Sequence, residues 1–261
     1  MTRRSLLVAI VAVLGCTMRA SRVARGAQAG ELRVFTTRAI ATVLEGIRDD
    51  VERRIGRTLR LTTDVAIRLV RRVRTGEPFD VLVAAPGQID ELIAEGLIAR
   101  DTRIDLARSG IGVAVRRGAA TPDVSSLEAF TRALLDARSI AYLREGQSGV
   151  YIDGVLRRLG IADRLEGRLT LPDTDIVSQL VSRGDVELGI VVITQILTTD
   201  GVSLAGPLPP EIQSYITFTG GVGVNAQARE AARELLRILQ GPEAMNVMRL
   251  QGMEPGKVSK N

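Results

Sequence analysis

Thr36-Thr37-Arg38 follows the short strand-like run Leu32–Phe35 and precedes a helical pattern, so two hydroxyls and a guanidinium stand where a strand gives way to a helix. Helix starts present unpaired N–H groups and the positive end of the dipole. An arginine there can grip a carboxylate or other oxyanion with two parallel hydrogen bonds. The plainer alternative is that a threonine caps the helix and Arg38 lies in solvent. Thr62-Thr63-Asp64 repeats the arrangement. There Thr63 offers a hydroxyl, and Asp64 either caps a helix or, facing a ligand, repels a multiply charged oxyanion. Ala84-Ala85-Pro86-Gly87 can give backbone contacts only, through Ala85, or form an ordinary turn. The loop Arg144-Glu145-Gly146-Gln147-Ser148-Gly149 is the most informative. Small residues let the backbone approach a ligand, Ser148 adds a hydroxyl at a helix start, and Arg144 closes over an anion or pairs with Glu145 in solvent. Asp173 and Thr174 cap the following helix and can reach the same space from its other side.

Other chemistry is poorly supplied. Histidine is absent, and Cys16 is the sole cysteine. The usual general base, the Ser-His and Cys-His pairs and the commonest zinc ligand are therefore excluded. Carboxylate or lysine chemistry remains, but no spacing singles it out, so no catalytic set, metal or cofactor is expected. Gly220-Gly221-Val222-Gly223 lacks the lysine and the strand-loop-helix setting of a phosphate loop and reads as a flexible strand.

These positions require an α/β scaffold. Leu32–Phe35, Leu59–Thr63 and Phe79–Ala84 read as strands. Between them, Ile40, Val43, Leu44, Ile47, Val51 and Ile55 share one face of a single helix, and Ile67, Val70 and Val73 mark a shorter one. The βαβαβα order implies right-handed crossovers and a mainly parallel sheet. Ile104–Arg116 is a longer strand that could pass into a second lobe, and Tyr215–Val224 is its return. Between them lie a helix opened by the Ser125-x-x-Glu128 capping box, a strand at Ser139–Leu143, a helix over Ser148–Leu159 and a strand at Val186–Val192. A last helix carrying Ala232, Leu235, Leu236 and Leu239 ends at Gly241-Pro242. Two α/β units joined by two strands make a hinged clamshell with its ligand between the lobes. A single-lobed α/β enzyme with an insertion would give much the same pattern.

The formal charge of +5 belongs to the leader. Arg3, Arg4, Arg19, Arg22 and Arg25 fall within the first 29 residues, which hold no acid, leaving thirty basic residues against thirty acidic ones. A nucleic-acid partner is not supported. Arg3-Arg4 followed by the apolar run Leu6–Leu14 reads as an export signal over residues 1–29. Cleavage after Ala27-Gln28-Ala29 and lipidation of Cys16 within Val13-Leu14-Gly15-Cys16 both remain open.

Four segments carry a resemblance. Leu32–Ile40 is similar to the opening strand and ligand loop of the periplasmic molybdate-binding proteins, and Gly76-Glu77-Pro78-Phe79-Asp80-Val81 to their G-x-P-x-D-V stretch. Ser148-Gly149-Val150-Tyr151 running into Leu156–Ile161 resembles their G-x-Y helix, and Val181–Val191 their approach to a G-I-V strand. The resemblance runs in order through residues 31–255. It implies a type II periplasmic binding protein clamshell that delivers a small anion to an ABC-transporter permease. Lobe 1 is then expected over residues 30–108 and 218–261, and lobe 2 over 109–217, with the protein a periplasmic or lipid-tethered monomer. That family holds a tetrahedral oxyanion with serine hydroxyls and a tyrosine, but here those positions fall on Ala39, on Val65 or Ala66, and on Val192. With Arg38 and Arg144 present instead, an organic carboxylate is favoured over molybdate. The ligand-binding set expected is Thr36, Thr37, Arg38, Thr63, Ala85, Arg144, Ser148, Gly149 and Thr174. An exported carboxylate enzyme and a ligand-sensing regulatory domain are the alternatives.

Overall fold

The computed structural model describes residues 30–256, so the export segment and Cys16 lie outside the described residues. Chain order opens with β1 (Glu31–Thr36), α1 (Arg38–Gly46), α2 (Arg48–Ile55), β2 (Thr58–Thr63), α3 (Ala66–Arg74), β3 (Val81–Ala84) and α4 (Pro86–Ala94). β1 lies between β2 and β3 and is parallel to both, as the crossover pattern requires. The helix expected over Ile40–Ile55 is two helices. Ile47, at φ −123 and ψ 16, closes α1 and opens α2 while its side chain stays in the core, so the apolar face survives the break.

β4 (Ile104–Arg116) is the long strand that links the lobes. Its first half pairs with β9 (Tyr215–Val222), the return strand, through Gly110↔Tyr215. Its second half, Ile111–Val115, pairs with β7 (Leu188–Val192). The lobes therefore meet where β4 leaves β9. There the Gln213 amide accepts from Ile111 N–H (3.0 Å) and donates to Ile111 C=O (3.1 Å), while Thr194 and Ser109 hydroxyls bond in the interior at 3.1 Å. The second lobe holds α5 (Leu127–Asp136), β5 (Ile140–Tyr142), α6 (Gln147–Arg158), α7 (Ala162–Leu165), β6 (Leu169–Thr170), α8 (Val177–Arg183), α9 (Ile193–Leu197) and β8 (Val202–Pro207). After β9 the chain closes the first lobe with α10 (Arg229–Leu239), α11 (Pro242–Leu250) and β10 (Glu254–Pro255).

Each lobe buries apolar residues on both faces of its sheet. In the first, Leu32, Val34, Leu44 and Leu236 pack on one face, and Phe35, Leu69, Leu82 and Ile89 on the other. Phe130, Ile152, Leu156 and Ile190 centre the second. Gly220 and Gly221 answer to this packing rather than to flexibility. A Cβ on either would stand 2.6 Å from a side-chain carbon, of Leu236 and Ile98 respectively, so β9 is gripped from both faces. The Asp of the G-x-P-x-D stretch is also structural. Buried Asp80 accepts from Arg33 N–H (2.9 Å), Arg33 Nε (3.2 Å) and Gln227 N–H (2.9 Å), clasping β1 to the approach of α10. Burial alone would raise its pKa, but the Arg33 and Gln227 donors outweigh it and hold the carboxyl below its usual range.

Some boundaries differ for local reasons. Ser126, not Ser125, caps α5, accepting from Ala129 N–H at 3.1 Å, while Ser125 bonds Asp123. Pro242 does not end the chain's helices but opens α11 at its first position, where a missing N–H costs nothing. The cap of α8 is Ile176, so Asp173 and Thr174 lie in the loop before it.

Candidate ligand-binding site

A cavity of about 70 Å³ lies between the lobes at the carboxyl ends of the strands. Thr37 and Ala39 come to it from the β1–α1 junction, and Asp64, Val65 and Ala66 from the β2–α3 junction. Lobe 2 contributes Leu143, Gly146, Gln147 and Ser148 around the start of α6, Asp175 before α8, and Val192 and Gln195 around α9. Ile216 and Phe218 of the return strand form the back.

The first loop is aimed inward. Thr37 occupies the N-cap of α1 but makes no side-chain cap bond, and its Oγ1 is buried without a partner. Such a hydroxyl is costly unless something supplies its hydrogen bond. That removes the capping explanation for Thr37. Thr36 is fully buried and its hydroxyl bonds the Thr37 carbonyl, away from the cavity wall. Arg38 reaches from lobe 1 toward Asp175 of lobe 2. Its Nε is buried and 3.6 Å from Asp175 Oδ2, beyond hydrogen-bond length, and has no hydrogen-bond partner.

The remaining sequence candidates divide. Ser148, the second residue of α6, is buried in the wall, beside the free N–H groups of the helix start. Gly149 is not in the wall. A Cβ there would stand 1.6 Å from the Leu143 carbonyl oxygen, so its smallness lets α6 close on the loop that frames the cavity. Gly149→Ala is expected to cost about 1–3 kcal/mol through this overpacking, lowering Tm by several degrees in a thermal melt. Thr63 and Thr174 are exposed and lie outside the wall. Ala85 is buried as the N-cap of α4, its N–H donating to Gln88 Oε1 at 3.2 Å. Arg144 points to solvent and pairs with Asp173 at 3.0 Å rather than with Glu145.

Sequence reasoning missed Asp175 and Gln195. Gln195 Nε2 donates to Asp175 Oδ2 at 2.7 Å. Burial pushes the Asp175 pKa up, nearby Arg38 pulls it back in part, and the Asp64 carboxylate adds to the rise. The available signal was the acidic run Asp173-Thr174-Asp175, whose last member turns inward while the first two face water. Asp64 is likewise in the wall and does not cap α3, whose N-cap is Val65: the Asp64 Oδ1 accepts from Val65 N–H at 2.7 Å. Ala39, Val65, Ala66 and Val192, the positions at which the molybdate-binding resemblance implies hydroxyls, all line this cavity. Alkyl groups stand where tetrahedral-oxyanion donors would.

Glu145 crosses the cleft mouth, its Oε2 4.0 Å from Arg68 Nε and 3.9 Å from Arg71 Nη1. Exposed pairs contribute about 0–1 kcal/mol, so Glu145→Gln should speed ligand release by roughly fivefold or less, read by stopped-flow dissociation, without changing the melting curve.

Two α/β lobes, two linking strands and an interlobe cavity at the strand ends define a type II periplasmic binding protein. The chain belongs to the bacterial extracellular solute-binding protein family, whose model matches residues 32–254. An aconitate isomerase from Pseudomonas sp is similar at 32% identity over 185 residues, 70% of each chain. A Bacillus subtilis protein provisionally named an ABC transporter substrate-binding lipoprotein is 24% identical over 188 residues, again 70% of each. The Azotobacter vinelandii periplasmic molybdate-binding protein shares the fold, with a TM-score of 0.74 at 18% identity over 87% of this chain and 100% of that one. Among the described residues no helix is long and apolar enough to cross a membrane.

Proposed function

We propose that this protein captures a small organic carboxylate between its lobes outside the cytoplasm and presents it to an ABC-type permease, without itself being an enzyme. The observation that carries the reading is the exchange of donors in the wall. Hydroxyl positions have become Ala39, Val65, Ala66 and Val192, while the unpartnered Thr37 hydroxyl lines the same chamber and the Arg38 guanidinium, outside the wall itself, stands beside its Asp175. A planar carboxylate suits a guanidinium fork and one hydroxyl, whereas a tetrahedral oxyanion needs donors on all sides. The start of α6 adds N–H groups opposite. The twin-arginine leader and the lipoprotein relative support a periplasmic or lipid-tethered location. Thermal unfolding against molybdate, tungstate, sulfate and a set of mono-, di- and tricarboxylates tests this. A ligand at a hundredfold excess over its Kd raises stability by about 2.7 kcal/mol. A carboxylate should give that shift; a shift with molybdate or tungstate alone would overturn the reading.

A second reading has its own support: the cleft also rearranges its ligand by proton transfer. Asp175 is a buried carboxyl with a raised pKa in the cavity wall, the property expected of a general acid–base group, and the 32%-identical relative is named an isomerase. Incubation with cis- and trans-aconitate, followed by proton NMR, separates the two readings. Interconversion establishes turnover, and binding without it leaves a carrier.

A further inference from the structure

A second, larger space lies beside the cavity. A trough of about 630 Å³ shares the lining residues Ala66, Gly146, Gln147 and Ile216 with it, so the two adjoin. The inner cavity, at about 70 Å³, is far smaller than the trough at about 630 Å³, so a ligand with a body beyond its carboxylate is accommodated chiefly in the trough.

The trough wall is unlike the rest of the surface. Of the five large hydrophobic side chains exposed among the described residues, three stand in it: Ile67 from lobe 1, Val150 from lobe 2 and Tyr215 from the return strand. Grouped exposed apolar side chains mark a contact site, whereas scattered ones do not. Because both lobes supply them, a body lying there is held only when the lobes are closed. Charge points the same way. The inner wall carries two carboxyl groups, Asp64 and Asp175, and the guanidinium that approaches it is that of Arg38. One ligand carboxylate can be matched there; a second in the cavity would face Asp64 or Asp175, while in the trough Glu145 already draws on the nearby Arg68 and Arg71.

We propose that the ligand is an amphiphilic monocarboxylate, with its carboxylate in the inner cavity and a hydrocarbon or aryl body in the trough against Ile67, Val150 and Tyr215. This rests on the carboxylate reading of the inner cavity and adds the nature of the rest of the ligand. A fatty or aryl-alkyl acid fits; a compact polyanion does not.

Calorimetric titration of the purified protein with propanoate, butanoate, hexanoate, octanoate and 4-phenylbutanoate, beside succinate and adipate, tests the proposal. Affinity should rise by roughly fourfold per added methylene once the chain enters the trough. Hexanoate should bind more tightly than adipate of equal length. Ile67→Gln and Val150→Gln together change exposed positions only; they should flatten the chain-length dependence and leave propanoate affinity unchanged. A flat profile in the unaltered protein overturns the proposal, as does adipate binding more tightly than hexanoate. In either case, binding of the short acids leaves the carboxylate reading intact. If no acid in the series binds, this proposal falls, and the carboxylate reading falls with it only if the tricarboxylates also give no thermal shift.

Discussion

Arg38→Ala should abolish useful ligand capture, weakening carboxylate affinity by about a hundredfold or more while leaving the fold intact. Truncating one partner of a desolvated, hydrogen-bonded charge pair costs about 2–5 kcal/mol. Arg38 is the guanidinium beside Asp175, and its Nε is buried yet has no hydrogen-bond partner. The donor is held ready for a partner that Asp175, at 3.6 Å, does not replace. Folding is spared because the side chain is 40% exposed and its neighbour Asp175 can take up a proton in its absence. Arg38→Lys keeps the charge but loses the planar fork, and should fall between, at roughly tenfold. Calorimetry with the tightest-binding acid, beside a melting curve for each variant, reads both effects. Affinity within threefold of the parent in Arg38→Ala would move the anion site elsewhere.

The clamshell was legible because it rests on periodicity and length. Three strand–helix alternations and two long strands at Ile104 and Tyr215 need no knowledge of side-chain direction, and all reappear. What failed was local. The break at Ile47 leaves every apolar position on the same face, so the spacing could not announce it. The site was half legible for a related reason. Strand–helix junctions are visible in sequence, and three of them do supply the wall through Thr37, Asp64 and Ser148. Which residue at a junction turns inward is a matter of one step in backbone direction. Thr36 against Thr37, Thr63 against Asp64 and Thr174 against Asp175 each differ by that step, and periodicity is silent inside a loop. Gln195 was illegible altogether, since nothing local ties a glutamine after a buried strand to a carboxylate twenty residues earlier.

Asp175 makes capture depend on pH. With Asp175 ionised, an entering carboxylate competes with it for Arg38 and also faces Asp64; with Asp175 protonated, Arg38 is free and the acid can itself donate to the ligand. Binding therefore favours the protonated form and takes up a proton. Over the pH interval between the Asp175 pKa of the empty and the filled cleft, affinity should rise by up to about tenfold per unit of acidification. Burial has already raised the empty-cleft value above that of an ordinary aspartate, so the interval opens at this raised value and extends upward from it. Calorimetry in buffers of different ionisation heat counts the protons directly. Asp175→Asn imitates the protonated group, so it should bind more tightly than the parent at neutral pH, with no proton uptake and little pH dependence. The same residue affects the unliganded protein in the same sense. A raised folded-state pKa means that the folded form holds the proton more firmly than the unfolded chain does, so stability falls as pH climbs from the ordinary aspartate value through the raised one. Above it, Asp175→Asn should melt at a higher temperature than the parent, and the difference should shrink in acid. Proton uptake that persists unchanged in Asp175→Asn would remove Asp175 from the linkage. The ionised Asp175 thus weakens both carboxylate capture and stability at neutral pH, which is the expected cost of keeping a second carboxyl beside the guanidinium that receives the ligand.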